Sequence, residues 1–166
     1  MALLRNGDLV PQKGNKEDAD VEAAVNKLDL QPIALAVQRE CHWATDKMKQ
    51  IELRYRRFLF MAATSGKVII PSKDVDTFWH HHILDTHKYA DDCHWAFGFY
   101  LHHCPGFGTA SPAEFQKLQV HYVATSRLYV ERYHEPYEYI VPVQAPLQTS
   151  SAGSSRENAF YPPRCG

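Results

Sequence analysis

Histidine is concentrated in one stretch of this chain. Seven of its ten histidines lie between His80 and His103, just after the acidic residues Asp74 and Asp76. The run Asp76-Thr77-Phe78-Trp79-His80-His81-His82 opens the stretch, and Leu101-His102-His103-Cys104-Pro105 closes it. Neutral imidazole is the commonest protein ligand for transition metals, and a carboxylate often completes or supports such a site. The segment is therefore expected to be the functional centre and to bind a divalent transition metal. Imidazole with carboxylate suits Zn, Fe or Mn, and an added thiolate from Cys93 would shift the balance toward Zn or Cu. An open-coordination site of this kind supports metal-assisted hydrolysis or oxygen chemistry, and the residues do not choose between them. There is no His-Glu-x-x-His protease motif, no paired Glu-x-x-His motif of the di-iron bundles, no phosphate-binding glycine loop and no nucleophile elbow.

Helical spacing limits which of these residues can meet. As one helix, residues 74 to 102 would align Asp76, His80, His87, Asp91 and His94 within a ~60° stripe, but the stripe would extend over ~27 Å. One ion could use only neighbours such as Asp76 with His80, which are i,i+4. A second geometry breaks the helix at Asp85-Thr86, where both residues are good N-caps. The break is the favoured expectation. His82 projects about 200° from His80 on a helix, so the two share an ion only if the helix is distorted.

The remaining elements are helical, with almost no strand signal. Val21, Ala24, Val25 and Leu28 recur at helical spacing from Asp18 to Leu28. Pro32 opens a second helix carrying Ile33, Leu35, Ala36 and Val37. A third, about Thr45 to Thr64, places Met48, Ile51, Tyr55, Phe58 and Leu59 on one face, with Gly66 as its stop. Val68-Ile69-Ile70-Pro71 reads as a buried linker or a very short strand. Ser111-Pro112-Ala113-Glu114 is a capping box, and its helix should run to about Tyr133, burying Phe115, Leu118, Tyr122 and Tyr129. The fold class is all-α, an irregular bundle of about five helices in a single domain over residues 17–140. Residues 1–16 read as a flexible arm, and residues 141–166, rich in Ser, Gly and Pro toward the end, as an extended or disordered tail.

Several features together resemble the glycine-rich-domain-containing protein-like family. They are Val75-Asp76-x-x-Trp79-His80-x-His82-Ile83-Leu84, then Tyr89, Cys93, Gly98 and Leu101-His102-His103-x-Pro105, with Arg56-Arg57-Phe58-Leu59 and Pro71-Ser72 upstream. The resemblance covers roughly residues 51–108 and supports the helix break. It implies that these positions matter more than it implies a reaction. His81, His87 and His94 are extra to that pattern, as is the absence of a long glycine-rich tract, and those three inherit no role from it.

Asp76, His80, His102 and His103 are the expected metal residues, with His82, Cys93, Trp79 and Tyr89 as further candidates. For His80 with Asp76 the alternatives are a metal ligand with its carboxylate partner, or a buried His–Asp hydrogen bond tying helices together. A helix C-terminus alone could favour one of His102 and His103. His81, His87 and His94 read as rim histidines, and Cys93 as either a thiolate or a small buried residue. Trp79, Tyr89, Trp95, Phe97 and Tyr100 read as core, Gly98 as allowing close helix packing, and Arg54, Arg56 and Arg57 as a solvated face.

Composition bounds the function classes. The chain has 166 residues, 45% of them hydrophobic and 12% aromatic, with a net charge of -1. That is enough for one cored domain and gives no electrostatic support for nucleic-acid or membrane-surface binding. The four cysteines, Cys41, Cys93, Cys104 and Cys165, form no Cys-x-x-Cys pair. With no signal-peptide pattern at the start, a cytoplasmic location with reduced thiols is expected. Three functions remain: a small metalloenzyme acting on a small-molecule substrate, a protein-interaction module whose histidine motif is a structural polar core, and a metal sensor or store.

Overall fold

In the computed structural model, residues 3–5, 8–10 and 12–137 are described. Two short strands, β1 (Leu3–Arg5) and β2 (Asp8–Val10), pair antiparallel with Leu3 opposite Val10 and Arg5 opposite Asp8. They fall in the stretch expected to be a flexible arm. Six helices follow: α1 (Asp18–Lys27), α2 (Gln31–Cys41), α3 (Thr45–Thr64), α4 (Lys73–Leu84), α5 (Thr86–Phe97) and α6 (Pro112–Tyr133). The all-helical class therefore stands for the body of the chain, with six helices where about five were expected. The histidine segment breaks at Asp85, as favoured from the sequence, and supplies α4 and α5. The Asp85 side chain accepts a hydrogen bond from the Lys88 N–H and caps α5. The expected tail, residues 141–166, lies outside the described residues. None of the described helices is long and apolar enough to cross a membrane.

The centre of the bundle is α3, which packs against α1, α2 and α4. Its predicted apolar face, Met48, Ile51, Tyr55, Phe58 and Leu59, is buried, and from Phe58 to Thr64 every residue is buried. A helix enclosed on all sides needs partners all round it, and the linker after it supplies one. Val68, Ile69 and Ile70 are buried without forming a strand, and the N–H and carbonyl of Ile70 find side-chain partners instead. The Ile70 N–H donates to Thr125 Oγ1 of α6 at 3.0 Å, and Tyr137 Oη donates to the Ile70 carbonyl at 2.7 Å. Buried main-chain groups must be paired in some such way, and these two bonds dock α6 against the core.

Two sequence expectations change here. The arginines of α3 are not simply a solvated face. Arg56 donates to the carbonyls of Val25 and Leu28 at 2.6 and 3.0 Å, closing the C-terminal end of α1, and Glu52 holds its guanidinium at 2.7 Å. Arg57 bonds Tyr129 and Glu135 and lies over the Tyr133 ring at 4.5 Å. Charges next to one another along a helix face look solvated in sequence, but a long arginine can reach the carbonyls exposed at a neighbouring helix end. Gly98 is also corrected. It ends α5 with φ +79, and a Cβ there would meet nothing nearer than 3.8 Å, so it is needed for left-handed backbone rather than for close packing.

The predicted capping box is present in modified form. Ser111 Oγ accepts from the Glu114 N–H, while Glu114 Oε2 accepts from the N–H of Ala110 rather than that of Ser111. Of the four residues expected to be buried on this helix, Tyr129 is, whereas Phe115, Leu118 and Tyr122 are half-buried. Truncating Arg56 removes two charge-assisted bonds to buried carbonyls. Arg56→Ala is expected to lower the unfolding free energy by about 2 kcal/mol, measured by urea denaturation. A change within about 0.5 kcal/mol would be that of an ordinary surface residue.

Candidate functional site

One group of side chains in the described residues is arranged as a metal could use it. Asp76, His80 and His103 each present a ligand atom, and these atoms lie within 4.8 Å of one another. Asp76 and His80 come from successive turns of α4, as their i,i+4 spacing requires. His103 arrives from the segment after α5, 23 residues beyond His80. Its Nε2 stands 3.1 Å from Asp76 Oδ1. Two ligands of one ion with bonds of ~2.1 Å sit ~3.0–3.4 Å apart, so a cation could take the place of the proton those two atoms share.

His80 Nδ1 lies 2.7 Å from the Asp76 carbonyl, which can only accept. His80 Nδ1 also faces the Asp76 carboxylate, 3.3 Å from Oδ2. We assign the proton to Nδ1, which leaves the lone pair on Nε2. Ligand histidines are commonly fixed in one tautomer by such a bond to backbone oxygen. His103 is 12% exposed, and Asp76 and His80 are 31% and 32% exposed, so the group has one sheltered side and one facing solvent. The His80 and His103 rings meet at 4.4 Å between centroids, and Trp79 backs His103 at 4.6 Å.

His82 points away from this group into the core, as its offset on the helix predicts. It is 1% exposed. Tyr55 Oη lies 2.8 Å from its Nδ1, and Asp92 Oδ2 lies 2.9 Å from its Nε2. Lys88 Nζ donates to the same Asp92 oxygen at 2.9 Å. Burial works to raise the Asp92 pKa, but the hydrogen bonds from His82 and Lys88 outweigh it and hold the carboxyl below its ordinary value. This is a saturated polar chain between α3, α4 and α5. Both ring nitrogens of His82 are engaged in it, so His82 has no lone pair to offer an ion.

The other candidates divide in the same way. His102 is exposed and outside the ligand group; its ring lies beside Tyr100. His81 contacts the Thr77 carbonyl and Glu40, while His87 and His94 are exposed. Cys93 is a free, buried thiol. Burial pushes its pKa up against hydrogen bonds involving Leu101 and Tyr89, so it is a neutral core group rather than a thiolate. Trp79 Nε1 donates to Tyr89 Oη at 2.9 Å, and Tyr89 Oη donates to the Leu101 carbonyl at 2.5 Å. These two aromatic residues form the layer behind the ligand group. Sequence reasoning missed Gln12, whose carboxamide contacts the backbone at Tyr100 and His102. Nothing about a lone glutamine 90 positions away signals such a contact.

Comparison with known families corrects the expected resemblance. The family model that matches is the one described as UCP032817-like, over residues 25–125, and not that of the glycine-rich-domain-containing protein-like family. The motif behind the earlier expectation spans only about a third of the chain, whereas this match takes in α2 through α5 entire. No curated protein and no solved structure matches the chain.

The two sets of histidines should respond differently to truncation. His82→Ala leaves Tyr55 and Asp92 without their shared partner in the core and should cost about 3 kcal/mol of stability. His80→Ala should cost less than about 1 kcal/mol. Equal losses in urea melts would contradict the division. The lowered Asp92 carboxyl contributes stability above its unfolded pKa of about 3.9 and loses it as the pH falls further. Asp92→Asn should therefore flatten the stability curve below about pH 4.

Proposed function

We propose that this chain, which belongs to the UCP032817-like family, binds one divalent transition metal through Asp76, His80 and His103 and acts as a small metalloenzyme. The observation that carries this is the convergence of three ligand atoms within 4.8 Å on a half-exposed face. Two imidazoles and one carboxylate suit Zn, Fe or Mn. Copper is less favoured, because the Cys93 thiol is buried and lies outside the group. A three-ligand set open to solvent leaves positions for water and substrate. With zinc that supports hydrolysis of a small-molecule substrate; with iron, the same donor set supports oxygen chemistry.

A second reading has its own observation. The Tyr55–His82–Asp92 chain is a structural polar core of the kind an interaction module would carry. It accounts for His82 but not for a solvent-facing His80 beside His103 and Asp76.

Elemental analysis of protein purified without a histidine tag tests the proposal. About one ion per chain is expected in the wild type. It should be lost in His80→Ala and His103→Ala while both retain the helical circular-dichroism spectrum. Metal-free wild type that takes up no Zn, Fe or Mn on dialysis and melts at the same temperature with or without them would overturn the metal reading. Tight binding without turnover of any hydrolysable or oxidisable substrate would indicate a sensor or store instead.

A further inference from the structure

Asp76 and His80 hold each other in place through one turn of helix. His103 has no such support, because residues 99–104 lie in no helix or strand. A metal site tolerates ligand displacements of only a few tenths of an ångström, so the backbone next to His103 must be held from elsewhere. Two side chains do this. From α5, Tyr89 Oη donates to the Leu101 carbonyl, and it accepts from Trp79, whose ring lies against the His103 ring. From the N-terminal segment, Gln12 pairs twice with the same stretch. Its Nε2 donates to the Tyr100 carbonyl at 3.1 Å, and its Oε1 accepts from the His102 N–H at 3.1 Å. One carboxamide thus does for residues 100 and 102 what a neighbouring strand would do.

The rest of the segment runs along the same path. A Cβ on Gly14 would stand 2.6 Å from the Phe97 carbonyl oxygen and 3.0 Å from the Phe99 ring, so the chain passes where only glycine fits. Lys16 Nζ donates to the Trp95 carbonyl. Residues 12–16 are therefore laid against 95–102, the stretch that delivers His103.

We propose that Gln12 and Tyr89 are positioning residues for His103, so that the N-terminal segment completes the metal site on the far side of the bundle's sequence. The proposal rests on reading Asp76, His80 and His103 as ligands. Because coupling between binding and order is reciprocal, metal binding also tightens residues 12–16 against the body.

The test compares wild type, Gln12→Ala, Tyr89→Phe, His103→Ala and the remote control Arg56→Ala. Two readouts are taken: the His103 ring resonances of metal-free protein by NMR, and the affinity for Zn2+ alone by competition titration. Gln12→Ala and Tyr89→Phe should each shift the His103 resonances and weaken Zn2+ binding by about tenfold or more. Arg56→Ala, although destabilised, should do neither, which separates positioning from general loss of stability. Should Tyr89→Phe fail to fold, Gln12→Ala at the rim decides alone. Wild-type resonances and affinity in Gln12→Ala and in folded Tyr89→Phe, with binding abolished in His103→Ala, would overturn the positioning roles and leave the metal reading intact. A wild type that binds no Zn2+ overturns both, and that failure appears before any variant is compared.

Discussion

The Tyr89 hydroxyl sits where α4, α5 and the segment after α5 meet, and it has no access to water. It accepts from the Trp79 indole and donates to the Leu101 carbonyl, so both of its hydrogen-bonding capacities face inward. A buried hydroxyl left unpaired would cost more than one properly paired contributes. The three elements therefore have little freedom to separate. The break at Asp85 turns the chain so that Tyr89 can reach back to Trp79, and Leu101 is drawn to the same point. Everything proposed for His103 depends on that junction.

On either side of it, the histidine run performs two unlike tasks. The inward half, His82 with Tyr55 and Asp92, is fully paired and gives the core a polar link across α3, α4 and α5. The outward half, Asp76 and His80 with His103, gathers ligand atoms within 4.8 Å of one another on a partly exposed face. Two residues of helical rotation separate them. A dense histidine cluster is therefore not one large site, since the helix divides it by face and, among the described residues, the metal-type grouping of ligand atoms lies on the outward face.

Membership of the UCP032817-like family fixes what the chain is related to over α2 through α5 without assigning a reaction. Two imidazoles and a carboxylate make up the group that could hold a metal ion, and the buried, neutral Cys93 thiol lies outside it. The N-terminal segment then matters more than its composition suggests. Gln12, Gly14 and Lys16 all contact the stretch that carries His103.

Sequence by itself determined what depends on neighbours within a few positions. The bounds of α3 and α6, the cap at Ser111, the break at Asp85, the pairing of Asp76 with His80 and the opposite aim of His82 all follow from helical periodicity and capping chemistry. Only the tertiary structure decided what depends on distant segments. It brought His103, and not the adjacent His102, beside Asp76, because loop backbone has no period of its own from which that orientation could be read. It moved Arg56 from the surface to the end of α1, because a long flexible side chain serves whichever helix-end carbonyls packing brings near. Within the histidine-rich segment, the contact of His103 with Asp76 spans 27 residues and that of His102 with Gln12 spans 90, ranges over which residue spacing carries no geometric information.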